Sequence, residues 1–201
     1  MLKHLDYQIA DKRVVDAMRR VPREAFVPPE QLAAAYDDRP LPIGCGQTIS
    51  QPFIVAFMIE ALQLSGDEKV LELGTGSGYE AAILAELADH VVTVEYVPDL
   101  AESAAALLNR LGYSNVDVHV AGQTLGWPEG APYDAIIVSA GSPSVPPVLI
   151  EQLAWNGRLV VPVGSRLQQE LVKVTRLRTG NRIENLGGCY FVPLIGEGAW
   201  E

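Results

Sequence analysis

From Lys69 onward the chain repeats one pattern, an apolar run of strand length followed by a run of helix length. The strand-length runs are "KVLEL" (69–73), "VVTVE" (91–95), "VDVHV" (116–120), "DAIIVS" (134–139) and "GRLVVPV" (157–163). Between the first three lie "GYEAAILAELA" and "DLAESAAALLNRLG", rich in alanine and leucine, the second closing on Gly112 as a helix C-cap would. Strands separated by helices pair in parallel, and their crossovers cover both faces of the sheet. The pattern predicts an α/β fold with a doubly wound, mostly parallel sheet. The tail, "ELVKVTRLR" and "IENLGGCYFVPLI", reads as two further strands joined through "TGN". The first third reads as helices instead: "DKRVVDAMRRV" places Val14, Val15, Met18 and Val21 on one helical face, and "PEQLAAAY" is a second short helix opened by Pro29.

The first strand leaves into "GTGSG", three glycines in five residues at Gly74, Gly76 and Gly78. In a doubly wound sheet ligands bind at this end of the strands. A turn that needs small residues accounts for one glycine, not three. The spacing is G-x-G-x-G, whereas a dinucleotide turn reads G-x-G-x-x-G, with its third glycine on the helix where this chain has Tyr79. Glu72 precedes the loop and Glu95 ends the next strand, where a carboxylate's two oxygens can accept from both hydroxyls of a ribose. Ribose without pyrophosphate favours S-adenosylmethionine over NAD. Composition narrows the class further. Hydrophobic residues make up 48% and charged residues 20% of the 201, a globular balance sufficient for a full core. The formal net charge of −10 opposes binding to a nucleic-acid backbone. Neither a signal peptide nor a transmembrane run is legible, so a cytoplasmic location without membrane association is expected. Cys45 and Cys189 form no C-x-x-C pair; they read as two buried or half-buried thiols, and no metal site is expected.

Several stretches resemble one family. "VLELGTGSGYEAAILAELA" is similar to the first motif of class I, Rossmann-like methyltransferases, and "LPIGCGQTISQPFIVAFMIEALQL" (41–64) resembles the protein-L-isoaspartate O-methyltransferases. With "RVVDAMRRVPREAFVP", "APYDAIIVSAG" and "FVPLIG" the likeness runs over nearly the whole chain. It implies one methyltransferase domain over 1–201: a helical N-terminal extension with the active-site loop in 1–65, then the cofactor-binding sheet and C-terminal strands in 66–201. The implied reaction is methyl transfer from S-adenosylmethionine to the free main-chain carboxylate of isoaspartyl residues in damaged proteins, by an enzyme acting as a monomer. The ester then closes to a succinimide, whose hydrolysis returns part of the population to aspartate. A relative that binds the cofactor but has another acceptor, or none, is the alternative; an NAD-dependent oxidoreductase is disfavoured by the loop spacing and by the missing Tyr-x-x-x-Lys or catalytic histidine.

By the same resemblance Ser50 in "GQTISQP" is the active-site residue, expected to orient the carboxylate, with Thr48 and Ile49 contacting the acceptor. A nucleophilic serine would need a histidine base. His4, His90 and His119 sit in no such motif and read as surface or strand-packing residues. Pro52 fits the first turn of a helix whose amides could face an anion. The plainer role for Ser50 is a helix N-cap. Cofactor contacts carry over to Glu72, to Gly74, Thr75, Gly76, Ser77 and Gly78, and to Glu95. The chain departs from the family's Gly-Asp-Gly near the adenine: aligned on "TLGW" it has Ala121, Gly122 and Gln123, and Gln123 is expected to reach the adenine edge instead.

Overall fold

The computed structural model describes residues 2–200, with side chains from 5 to 200; the side chain of His4 lies outside the described residues. The chain opens with α1 (Leu2–Gln8) and α2 (Lys12–Arg20). The Asp11 carboxylate caps α2, accepting from the Arg13 amide at 3.0 Å, while Val14, Val15, Ala17 and Met18 are buried on one face. The segment expected to form a second helix is a 3₁₀ turn, Pro29–Ala34. None of its residues is buried, so no apolar face anchors a longer α-helix. The stretch that follows is not helical. β1 (Leu41–Gly44) and β2 (Gln47–Ile49) pair antiparallel around Cys45 and Gly46, whose φ angles of 52° and 72° both lie in the left-handed region that a tight hairpin turn uses. That turn leaves Cys45 exposed and Cys189 half-buried, which corrects the expectation for Cys45. α3 (Pro52–Leu62) follows at once, with Pro52 in its first turn.

The remaining strands form one seven-stranded sheet. β3 (Lys69–Leu73), α4 (Tyr79–Ala85), β4 (His90–Glu95), α5 (Pro98–Leu111) and β5 (Val116–Val120) make two parallel crossovers, and Gly112 closes α5 at φ 88° as expected. β6 (Tyr133–Val138) then pairs on the other side of β3, and α6 (Pro147–Glu151) leads to β7 (Leu153–Gly164), longer than its apolar run suggested. β8 (Gln169–Thr175) and β9 (Arg182–Cys189) complete the order β5-β4-β3-β6-β7-β8-β9, the last two antiparallel. The final strand was expected to run to residue 195. It stops at Cys189 because the chain turns back across the end of β6, where the Gly141 amide donates to the Val192 carbonyl at 2.7 Å and the Leu194 amide to the Gly141 carbonyl at 2.8 Å.

Strand alternation divides the core. Val70, Val91, Ala135 and Ile137 face α2, α3, α4 and α5; Leu71, Val92, Ile136 and Val138 face α6 and the segments around Leu125 and Leu194. Both faces are covered, one by helices and the other largely by irregular chain. The strand order reverses between β3 and β6, and a crevice opens there at the carboxyl ends.

Candidate active site

The crevice is a cavity lined by the loop after β3, by Thr48, Ile49 and Ser50 from the hairpin, by Glu95 and Tyr96 after β4, and by segments 121–126 and 192–196. The loop explains its three glycines separately. Gly74, Gly76 and Gly78 have φ of 99°, 52° and 87°. Gly74 and Gly76 present backbone to the cavity beside Thr75 and Ser77. Gly78 does not reach it: a Cβ there would stand 3.2 Å from Leu108 Cδ1, so this glycine lets α4 pack against α5. Its expected contact with a cofactor is corrected to a packing role. The loop is fixed by the Gly74 amide donating to the Val94 carbonyl at 2.8 Å and by Glu95, whose two oxygens accept from the amides of Gly76 (2.8 Å) and Val97 (2.9 Å). Each Glu95 oxygen keeps a second lone pair for a ligand hydroxyl.

Glu72 supports the loop from below. It is 0% exposed and lies beneath the loop rather than in the cavity wall. The Thr93 hydroxyl donates to its Oε2 at 2.5 Å and shares a 2.6 Å hydrogen bond with the hydroxyl of Thr75, which does line the cavity. Burial, with the charge of Glu80, pushes the Glu72 carboxyl well above the usual range. Glu80, in the first turn of α4, borders the cavity and accepts from the Ser139 hydroxyl; burial pushes its carboxyl up to about 7.

The hydroxyl donors sort into engaged and free. Those of Thr75 and Ser139 are taken by protein groups. Those of Thr48, Ser50 and Ser77 line the cavity and make no hydrogen bond with any described residue. Ser50 is not the cap of α3, whose N-cap position is Gln51 without a side-chain bond. One of the expected anion-facing amides is already occupied: that of Phe53 donates to Asp38 at 3.0 Å, an anion the chain itself supplies. Ser50 is placed through its carbonyl, which accepts from the fully buried Arg23 at 2.8 Å. Arg23 also donates to the Ala35 carbonyl at 2.9 Å and stacks 4.7 Å over the Tyr79 ring, joining the hairpin to the start of α4. Among the described residues no Lys, Arg or His lines the cavity. His90 pairs with Asp117 at 3.0 Å and His119 stacks on Trp127 at 4.0 Å, both away from Ser50. Gly122 and Gln123 border the cavity, and the Gln123 side chain is exposed.

Residues 1–199 match the family model described as protein-L-isoaspartate(D-aspartate) O-methyltransferase. The chain belongs to that family. It is 56% identical over 193 residues to protein-L-isoaspartate O-methyltransferase 1 of Syntrophobacter fumaroxidans, covering 96% of this chain and 90% of that one, and 55% identical over 193 residues to the enzyme of Geobacter metallireducens, covering 96% and 89%. A solved protein-L-isoaspartate O-methyltransferase superposes with a TM-score of 0.87 at 30% identity, over 99% of this chain and 67% of the other. A Plasmodium falciparum protein assigned to the same activity, solved with S-adenosyl-L-homocysteine, superposes with a TM-score of 0.81 at 25% identity, over 95% and 94%.

In this protein-L-isoaspartate O-methyltransferase family member, sequence reasoning missed Glu80, Ser139 and Arg23. Glu80 left one signal, a carboxylate followed at once by the uniformly apolar Ala81, Ala82, Ile83 and Leu84, where a helix has no solvated face to offer it. Ser139 left none, since its partner lies 59 residues away.

Proposed function

We propose that the chain transfers the methyl group of S-adenosyl-L-methionine to the free carboxylate of isoaspartyl residues in damaged proteins. The observation that carries this reading is a cavity with free hydroxyls on Thr48, Ser50 and Ser77, no cationic side chain among the described residues that line it, and the glycine loop opposite. The residues fit the cofactor. The left-handed Gly74 and Gly76 bring backbone into the cavity, Glu95 has lone pairs for a ribose, and Glu72 and Glu80 each keep one buried oxygen without a partner. Gly122 and Gln123 border the same cavity, and the Gln123 side chain is the candidate for the adenine edge.

When bound, S-adenosylmethionine supplies a sulfonium methyl that passes to a carboxylate oxygen. The acceptor is already ionised, a carboxyl of this kind having a pKa of roughly 3 to 4, so the chain need provide no general base. Thr48 and Ser50 donate to that carboxylate and hold it, and Ile49 and Val55 keep water from it. Alignment of this kind lowers barriers by about 7 to 11 kcal/mol in well-oriented reactions. One domain acting as a monomer in the cytoplasm completes the reading. Among the described residues no helix is long and apolar enough to cross a membrane. The test is methanol release from an isoaspartyl peptide beside its aspartyl twin: turnover of the first alone is expected, and equal turnover of both, or of neither, overturns the assignment.

A further inference from the structure

Glu80 stands at the start of an apolar helix with one oxygen satisfied and one not. It is 7% exposed and Glu72 is 0% exposed. Hydroxyls of Ser139 and Thr93 occupy the Oε2 atoms of Glu80 and Glu72, and both Oε1 atoms are buried without a partner. Glu72 feels the charge of Glu80 and, more weakly, that of Glu95. Glu95 already holds two backbone amides. Lys69, His90 and Asp134 lie at the opposite, amino ends of β3, β4 and β6, while on β5, which α4 also meets, Asp117 pairs with His90 and His119 stacks on Trp127. On α4 the neighbouring Tyr79 carries the Arg23 guanidinium over its ring, and that guanidinium is turned to the carbonyls of Ala35 and Ser50. Two adjacent buried carboxylates without a cation cannot both stay ionised at neutral pH. The pair needs either a proton or a positive ligand.

We propose that Glu80, together with Glu72, senses the positive charge of the methyl donor, keeping one proton while no cation is present and releasing it when the sulfonium donor binds. The inference rests on the reading of the cavity as an S-adenosylmethionine site. The charges balance. The singly protonated pair carries −1; binding the donor, net +1, leaves the pair at −2 and sends one proton to solvent. After the methyl has moved to the acceptor carboxylate the sulfur is an uncharged thioether, and the pair takes a proton back. Donor and product share the same ammonium, carboxylate and adenosine, and differ in the methyl group and the positive charge it brings to sulfur. Glu80 then strengthens donor binding relative to product as the pH rises. The upward shift of both carboxyls, that of Glu80 to about 7, is in the direction this exchange requires.

The test is calorimetric titration of the full chain with S-adenosylmethionine and with S-adenosylhomocysteine from pH 5.5 to 8.5, in buffers of different ionisation heat. Release of one proton makes donor affinity rise by up to about tenfold per pH unit below about 7 and level off above it. Product affinity is expected to stay within about twofold, and Glu80→Gln to flatten the donor profile towards that of the product. Parallel pH profiles for the two ligands, or donor heats at pH 6 that do not depend on the buffer, overturn the proton exchange and leave the cofactor assignment standing. Failure of both ligands to bind wild type overturns the assignment, and the inference with it. The wild-type comparison decides even where Glu80→Gln does not fold.

Discussion

The Ser50 carbonyl is held at 2.8 Å by a guanidinium that has no exposed surface, and this leaves the hydroxyl free to face the cavity. A hydrogen bond to a charged acceptor contributes about 1.5 to 3 kcal/mol. Ser50→Ala is therefore expected to lower kcat/KM on an isoaspartyl peptide about ten- to a hundredfold while donor affinity, read by calorimetry, changes less than about twofold. Wild-type turnover in the variant, or a methyl group trapped on Ser50, would remove its orienting role. Glu95 has two tasks, since its oxygens fix the Gly76 and Val97 amides as well as facing the cavity. Glu95→Ala should weaken donor binding about ten- to a hundredfold by the same energetic scale and should also lower Tm, because two amides lose their acceptor. Unchanged affinity in a folded variant excludes it from the ligand site. At the end proposed for the adenine, Gln123 makes no hydrogen bond with any described residue, so a neutral contact worth about 0.5 to 1.5 kcal/mol is available to a ligand. Gln123→Ala should weaken binding several-fold and Gly122→Asp should tighten it; two variants that bind as wild type does show that this loop does not read the adenine. Sequence position was enough to put Ser50 and Glu95 on the cavity's own loops. It was not enough to show that Glu72 lies beneath the loop and that Gly78 packs against α5, because the direction taken from a strand end or a helix start depends on what packs behind it, here Thr93 and Leu108.

Among elements, β3 to β6 and α5 were legible to within a residue because each βαβ unit carries its own periodicity and its own stop, such as Gly112, whereas α4 ends three residues before its apolar run does and β7 begins four residues before its run. The hairpin at 41–49 was not. Its strands are too short for alternation to show, and its turn places a cysteine where asparagine or glycine is usual. The end of β9 was missed for a related reason: residues 192–194 find their partner at Gly141, a pairing no local pattern announces. The hairpin's position over the cavity depends on a second long-range bond. Asp38 accepts from the Phe53 amide at 3.0 Å and from the Gln51 side chain at 3.0 Å, capping α3 just after Ser50. Loss of a helix cap costs about 1 kcal/mol, which for a chain of this size lowers Tm by about 2 to 4 °C. Asp38→Ala should show that shift together with a raised KM for peptide, whereas Asp38→Asn, which keeps an acceptor oxygen, should recover most of both. An unchanged KM in Asp38→Ala would mean that the cap steadies α3 without positioning Ser50.

For the whole molecule, the buried acids make the site a cost to the fold. Placing a carboxyl against the apolar start of α4 raises it from an ordinary 4.5 to about 7, and the chief cause is burial. The folded state therefore binds more protons than the unfolded chain between those two values, and stability falls as pH rises through that window. At about 1.4 kcal/mol per pH unit, the loss for Glu80 alone is about 3 kcal/mol once the pH is above 7. It vanishes below about 4.5, where the carboxyl is protonated in both states. Glutamine has the same shape, can still accept from Ser139 and never ionises, so Glu80→Gln removes the penalty without opening a cavity. At pH 8 the variant is expected to melt about 6 to 12 °C above wild type, given about 2 to 4 °C per kcal/mol for a chain of this length. At pH 4.5 the two should melt together, provided both remain folded, and chemical denaturation at the two pH values gives the same comparison without heating. A variant equally stabilised at both pH values would point to better packing rather than to relief of a buried charge. A variant no more stable at pH 8 would mean that Glu80 is already neutral or already balanced in the folded chain. A gain confined to high pH fits a chain that accepts lower stability at its ligand site, as functional sites commonly do.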